Sequence, residues 1–340
     1  VPLLVGVERA ESALKLAEIL QLTGDIPRAQ ATAIDARELA VAAGDERMIA
    51  RSDHSLAESA RRQGRFDEAA QRLDDARRRF EAIGDEAGLA TSLRVNGTVN
   101  AQRGNLAAAK ANYEASLDIR ERLGDVSGVA ALTNNLGIVA QHEGDMDRAR
   151  ALGLRALELY TGLGERRWIC SCLINLAWMD SQAGRNDEAL AHGAEAVRLA
   201  LEVGDRLNLA IAQNNMGDAF RDLGRLEEAG AAYGAAVEAY RDLGDTGPLM
   251  ALLEDVAILA ARRLQHQAAL RLLGAADALR TALGSARPRE AETALEDRLE
   301  ASRAALGTRA ARAARTTGRN LTAAEAIELA LATASRAAAD

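Results

Sequence analysis

AALTNNLGIVAQHEGDMDRARALGLRALELYTGLGERRWI, residues 130–169, returns in altered form when the chain is read 40 residues earlier or later. Glycines mark the beat most plainly. Gly24, Gly44, Gly64, Gly84, Gly104, Gly124, Gly144, Gly164, Gly184, Gly204, Gly224 and Gly244 stand 20 positions apart. Leu264 fills the next place and Gly284 resumes the rhythm. A fixed period of this length signals one supersecondary unit repeated along an array.

Each interval between glycines has room for one helix, and its apolar spacing is helical rather than alternating. Ala130, Leu132, Leu136, Val139 and Ala140 share one side of a helix stopping near Gly144. Met146, Ala149, Leu152, Ala156 and Leu159 do the same for a helix ending near Gly164. Glycine at a helix C-terminus supplies left-handed backbone at little steric cost. The acid that follows (Asp45, Asp85, Asp125, Glu165, Asp205, Asp245) is placed to accept from free N–H groups opening the next helix.

With Ala130 as position one, position 20 is alanine in all seven units, from Ala29 through Ala149 to Ala269. Position 27 is alanine except at Ser116, and position 8 alternates between alanine (Ala17, Ala57, Ala177, Ala257) and glycine (Gly97, Gly137, Gly217). Larger side chains there would push paired helices apart, at about 1–3 kcal/mol each.

These positions resemble the tetratricopeptide repeat, whose Leu-Gly at 7 and 8, Gly at 15 and Ala at 20 and 27 are matched by Leu136, Gly137, Gly144, Ala149 and Ala156. The resemblance implies an all-α, right-handed superhelical solenoid of about seven helix pairs with C-terminal capping helices. The unit exceeds the family's usual length, which implies a second helix longer by about a turn and a half. Residues 1–9 read as a lead-in and 10–283 as the array, with units starting near 10, 50, 90, 130, 170, 210 and 250. Residues 284–340 read as the capping helices: one amphipathic helix from Arg289 to Leu306, a short one over Thr308–Thr317, and a last one opened by the capping-box sequence Thr322-Ala-Ala-Glu325.

A narrower resemblance lies in Leu272-Leu273-Gly274-Ala275-Ala276, Ala305-Leu306-Gly307, Gly318-Arg319 and Leu321-Thr322-Ala323-Ala324-Glu325-Ala326. It looks like the C-terminal end of large actinobacterial signal-transducing ATPases and transcriptional regulators, although the segment Arg309–Thr317 lacks their aromatic residues. It implies that this chain, which opens on Val1 rather than Met, is the sensor or partner-binding arm of a longer regulator. The 40 arginines against Lys15 and Lys110 fit a GC-rich bacterial source.

Composition narrows function further. A net charge of −8 argues against direct nucleic-acid binding over the surface. The most apolar stretch, Leu249–Ala261, is broken by Glu254 and Asp255, so no membrane span is expected. Cys170 and Cys172 lie two apart on one helix, point away from each other and read as buried thiols of a reducing cytoplasm.

No phosphate loop or G-x-G-x-x-G follows a strand, no Cys/His spacing suits a metal, and His54, His142, His192 and His266 fall in different units. The reading is therefore non-enzymatic, with no cofactor. The row Arg309, Arg312, Arg315 and Arg319 reads as a solvated face of a capping helix.

Family resemblance places positions 2, 5, 6, 9, 12 and 13 of the first helices on the concave wall. They hold Arg51, His54, Glu58, Arg61 and Arg62; Arg94, Thr98 and Gln102; Asn134, Asn135, Gln141 and His142; Asn175, Trp178 and Gln182; and Asn214, Asn215, Asp218 and Arg221. Asparagine carries a donor and an acceptor, which suits the backbone of an extended peptide. It serves equally to bridge neighbouring helices. The expected partner is a peptide or protein segment, including another domain of the same full-length protein. An oligomerisation scaffold and a small-effector sensor are the alternatives.

Overall fold

The computed structural model describes residues 2–243, 247–285 and 287–335, with the side chains of 2–5 left aside. Val1, Gly244 and Asp245 lie outside the described residues. Among the described residues there is helix and no strand.

Seven helix pairs occupy the periodic region: α1 (Pro2–Leu22) with α2 (Ile26–Ala43), α3 (Glu46–Arg62) with α4 (Phe66–Ala82), α5 (Glu86–Gln102) with α6 (Leu106–Arg122), and α7 (Val126–His142) with α8 (Met146–Leu163). Then come α9 (Arg166–Gln182) with α10 (Asn186–Val203), α11 (Arg206–Asp222) with α12 (Leu226–Leu243), and α13 (Leu249–Arg262) with α14 (His266–Ala282). Four shorter helices follow: α15 (Arg289–Arg298), α16 (Glu300–Leu306), α17 (Thr308–Arg319) and α18 (Ala323–Ala334). The chain divides into two compact units, Val1–Leu163 and Gly164–Asp340.

The punctuation works as its chemistry dictates. Gly24 through Gly224 all take positive φ at the beat, between 66° at Gly44 and 86° at Gly24. After α3, Gly64 donates to Arg61 and Arg65 to Ala60, closing the helix end. Asp45, Asp85, Asp125 and Asp205 accept from the N–H three residues on, at 2.9–3.2 Å, each worth about 1 kcal/mol. Glu165 makes no such bond; its side chain is one methylene too long for the local ring that aspartate closes.

The small residues sit where helices touch. Ala29, Ala69, Ala109, Ala149, Ala229 and Ala269 are fully buried, as are Ala36, Ala76, Ser116, Ala156, Ala196, Ala236 and Ala276. Aromatic rings fill the gaps opposite them. A Cβ on Gly97 would come within 2.5 Å of the Tyr113 ring, and one on Gly217 within 2.5 Å of Tyr233.

From α3 to α12 the helices of a pair are equal in length or differ by one residue. Both α3 and α4 have 17 residues, as do α5 and α6. The surplus over the common repeat is therefore shared by both helices, because two antiparallel helices bury most when neither outruns the other. The first helices also start about one turn before position one. Similarly, α1 is helical from Pro2, so the lead-in forms its first turns.

In the second unit, α17 packs on α14 and α18 on α12, α13 and α14, closing the end of the array. Arg263, 2% exposed, donates to the carbonyls of Thr333 and Ala334 at 3.0 Å and to that of Leu226. It thereby ties α18 to the start of α12. Arg287, Arg315 and Arg319 converge on Asp277; of the arginine row on α17, Arg315 is half-buried there while Arg309, Arg312 and Arg319 stay exposed. The expected helix Arg289–Leu306 breaks at Leu299. That residue is fully buried, and Arg303 takes up the Glu296 carbonyl released at the break at 2.7 Å. The capping box of Thr322 and Glu325 forms with both bonds present.

Candidate ligand-binding groove

The first helices of the N-terminal unit form one wall, and two adjoining recesses open in it. The larger, about 600 Å³, is lined from α1 by Glu18 and Gln21, from α3 by Arg51, His54 and Glu58, and from α5 by Thr91. Phe80 of α4 and Arg120 of α6 complete its edge. The smaller, about 290 Å³, shares Glu18, Gln21, His54 and Glu58 and adds Arg61, Arg62, Arg94 and Thr98. Seven residues read from repeat position therefore meet at one place.

The helix spacing explains this convergence. Positions 2, 5, 9, 12 and 13 share one face of a helix, and stacking pairs brings that face of α1, α3 and α5 side by side. Glu18 and Gln21 occupy positions 9 and 12 of the first unit. The rule that selected the others would have found them too.

Gln21 fixes the wall from within. Its Nε2 donates to the Ser55 carbonyl at 2.8 Å and to the Ser59 hydroxyl at 3.0 Å, linking α1 to α3. Glu58 is held by both neighbouring arginines, with Arg61 donating through Nε and Nη2 at 2.8 and 2.6 Å and Arg62 through Nε at 3.0 Å. Those bonds outweigh burial and lower the Glu58 pKa. Arg51 stands 3.9 Å from Glu18.

Two groups in this wall are left over. The Arg94 guanidinium lines the smaller recess and makes no hydrogen bond or ion pair with a described residue. Burial lowers its pKa. His54 lines both recesses, its Nδ1 sealed from solvent and without a hydrogen-bond partner. Burial first, then the charges of Arg94 and Arg51 against the opposing pull of Glu58, lower His54 to about 4, so its ring is neutral at pH 7. The other histidines differ. His192 pairs with buried Asp180 at 3.0 Å, His266 meets the Ser302 hydroxyl at 3.1 Å, and His142 is exposed.

The remaining sequence-selected residues lie elsewhere. Asn134, Asn135 and Gln141 are half-buried on α7 and line neither recess; Asn134 is hydrogen-bonded or otherwise engaged. In the second unit Asn175 and Trp178 are half-buried on α9 and Gln182 is exposed. Asn215 is 7% exposed and donates to the Ile174 carbonyl at 3.1 Å, bridging first helices of successive pairs. The bridging role is the one this asparagine serves.

Asp218 and Arg221 form a second polar nest in that unit. Arg221 donates to Asp218 at 2.7 Å and to the Tyr233 hydroxyl at 2.8 Å, while Tyr233 donates to Asp218 at 2.6 Å. Asn214 reaches Asp255 at 3.4 Å. Burial raises the pKa of Asp218 and carries Asp255 well above the usual carboxylate range. The second-helix tyrosine was not legible from repeat position, because its hydroxyl reaches the wall only across the pair.

Among the described residues no cluster of His, Cys, Asp and Glu suits a metal ion, and no helix is long and apolar enough to cross a membrane. No curated protein matches the chain. Solved structures do, all at low identity. A signal-transduction ATPase with numerous domains from Pyrococcus horikoshii, bearing a tetratricopeptide repeat sensor, superposes with TM-score 0.61 at 16% identity, over 88% of this chain and 50% of that one. BtubC from P. vanneervenii gives 0.54 at 18% identity, covering 72% and 93%. The Rap conjugation gene regulator of plasmid pLS20, solved with the Phr* peptide, gives 0.52 at 15% identity, covering 74% and 73%.

These likenesses establish the fold of stacked helix pairs. Tetratricopeptide repeat family models match residues 48–122, 128–202 and 210–243, more than half of the sequence. With those matches and the repeated alanines buried at the helix contacts, the chain belongs to the tetratricopeptide repeat family.

Proposed function

We propose that the chain is a non-catalytic binding module that holds an extended segment of a protein or peptide along the first-helix wall of its N-terminal unit. One observation carries this reading: the half-buried Arg94 guanidinium lines an open recess beside His54 and Glu58 and makes no hydrogen bond with a described residue. A partly buried guanidinium without a hydrogen-bond acceptor gains from a bound partner that supplies one. Arg61 donates to Gln102 of the next first helix at 3.2 Å, so polar groups continue along the same wall.

The C-terminal sequence resemblance supports placing this module in a longer bacterial regulator as its sensor or partner-binding arm. Occupancy would bias an adjoining switch only where the ligand binds its two states unequally. The Rap regulator solved with a peptide is a precedent for ligand capture on this fold.

The test is a random peptide library displayed on phage and panned against the whole chain. Selected peptides are expected to weaken roughly tenfold or more when Arg51 and Arg62 are changed to Glu, since charge reversal at a rim alters association strongly. Peptides that bind equally well to that variant would place recognition elsewhere and defeat the proposal.

A further inference from the structure

We propose that the outer edge of α1 is a self-association surface, on which the same edge of a second copy of this chain packs as a two-fold pair. Leu16 and Ile19, which carry this inference, line neither recess of the groove.

The contact between successive pairs sets the expectation. With Ala10 as position one of the first unit, Ser12, Leu16 and Ile19 hold positions 3, 7 and 10. In later first helices those positions pack on the second helix of the pair before. Leu132, Leu136 and Val139 of α7 share one buried cluster with Ala109 and Tyr113 of α6, and Leu56 of α3 clusters with Ala33 of α2. Position 10 is Ser59, Val99 and Val139 in α3, α5 and α7, and each is 2% exposed or less. In α1 no described helix covers the same stripe. Leu16 is 45% exposed, Ile19 56%, and Leu22, three residues on, 80%.

A terminal repeat that ends in water carries a polar outer face. Here α1 keeps the apolar side chains of an internal contact and adds another. Position 13 is Leu22 in this helix but Arg62, Gln102 and His142 in the next three units. Large apolar side chains in a row along one helix edge mark an association site rather than scattered exposure.

Two features select a second copy as the occupant. The turn that joins each later pair to the one before is a glycine followed by an acid, and the register puts it at residues 4 and 5. Those are Leu4 and Val5, and α1 is helical through both. The array's own turn therefore does not deliver a preceding pair to this edge. The stripe is also suited to meeting itself. Leu16 and Ile19 lie next to small Ser12, whose hydroxyl is turned back to the Glu8 carbonyl at 2.9 Å. Beside them Glu11 and Lys15 neutralise one another at 3.1 Å. Two such helices laid antiparallel set leucine and isoleucine against isoleucine and leucine, as a closed two-fold contact requires. At 21 residues α1 offers a contact about 30 Å long.

Sedimentation velocity of the whole chain over a wide concentration range reads the association. The expected result is a reversible monomer–dimer equilibrium, weakened roughly tenfold or more in Leu16→Glu and in Ile19→Glu, because each buries a charge in an apolar contact. Ile19→Val, which keeps that contact apolar, should retain the dimer. Both positions are exposed in the single chain, so the glutamate variants should melt with wild type where all are monomers. A wild-type chain that stays monomeric at every concentration overturns the inference, and so does a dimer that both glutamate variants leave intact. A monomer is then titrated with a synthetic peptide of the α4 sequence, Phe66–Ala82, and followed by NMR at the Ile19 methyl groups. Saturable shifts there would assign this edge to a helix of another protein and overturn pairing with a second copy.

Discussion

Gly274 of α14 and Gly318 of α17 lie against each other's helix backbones: a Cβ on Gly318 would run into the Arg271 carbonyl, and one on Gly274 into that of Arg315. The obstacle is main chain in both cases, which cannot swing aside as a side chain does. Gly318→Ala is therefore expected to cost about 3 kcal/mol, at the upper end of overpacking, by prying α17 from the end of the array. Hydrogen exchange over residues 308–319 checks this. Protection equal to wild type would show that the crossing tolerates a methyl group.

Gly97 and Gly137 occupy the same repeat position and should respond differently. A Cβ on Gly97 meets the Tyr113 ring, whereas on Gly137 the nearest atom is the Ala149 carbonyl at 3.3 Å, because Gly153 stands where the ring would be. Alanine raises helix propensity by about 1 kcal/mol over glycine. Gly97→Ala is expected to lose about 1–2 kcal/mol net and Gly137→Ala to be near neutral. Paired denaturation curves decide the order.

Leu264 holds the position that glycine holds elsewhere in the rhythm, at φ 60°, the one non-glycine with positive φ among the described residues. It is 67% exposed, so its side chain contributes little packing. Left-handed backbone costs a non-glycine residue about 1–2 kcal/mol, partly offset by the greater chain entropy of unfolded glycine. Leu264→Gly should raise stability by about 0.5–1 kcal/mol. A lower melting temperature would refute this account of the turn.

Asp255 supplies a pH test. Burial, and after it the nearby Asp218 carboxylate, raise its pKa well above the usual range, against the pull of Arg221. A carboxyl raised in the folded state gives its full stability below its unfolded value near 4. That stability is lost as pH rises through the folded value. Asp255→Asn keeps a group able to meet Asn214 without the charge. Its melting temperature should exceed wild type by about 2–4 °C at pH 8, with the gap closing near pH 4. A gap constant with pH would contradict the raised pKa.

Sequence alone determined what is settled within a few residues of chain. Glycine at the beat takes positive φ and aspartate caps the next helix because both effects close over four or five residues. Buried alanines recur because every pair presents the same contact to the next. That was enough for the seven helix pairs and the family, though not for the break at Leu299. It also identified the wall on which Arg51, His54, Glu58, Arg61, Arg62 and Arg94 stand.

Tertiary structure decided which of those groups are spoken for. Glu58 could have served any of three arginines, and only packing assigns it to Arg61 and Arg62 and leaves Arg94 unpaired. Asn215 could have faced a ligand, and only the stacking of α11 beside α9 turns it to the Ile174 carbonyl. Hydrogen bonds and ion pairs are decided by ångström-scale distances between residues some 40 positions apart. A repeat period fixes which residues become neighbours but leaves open which of them bond.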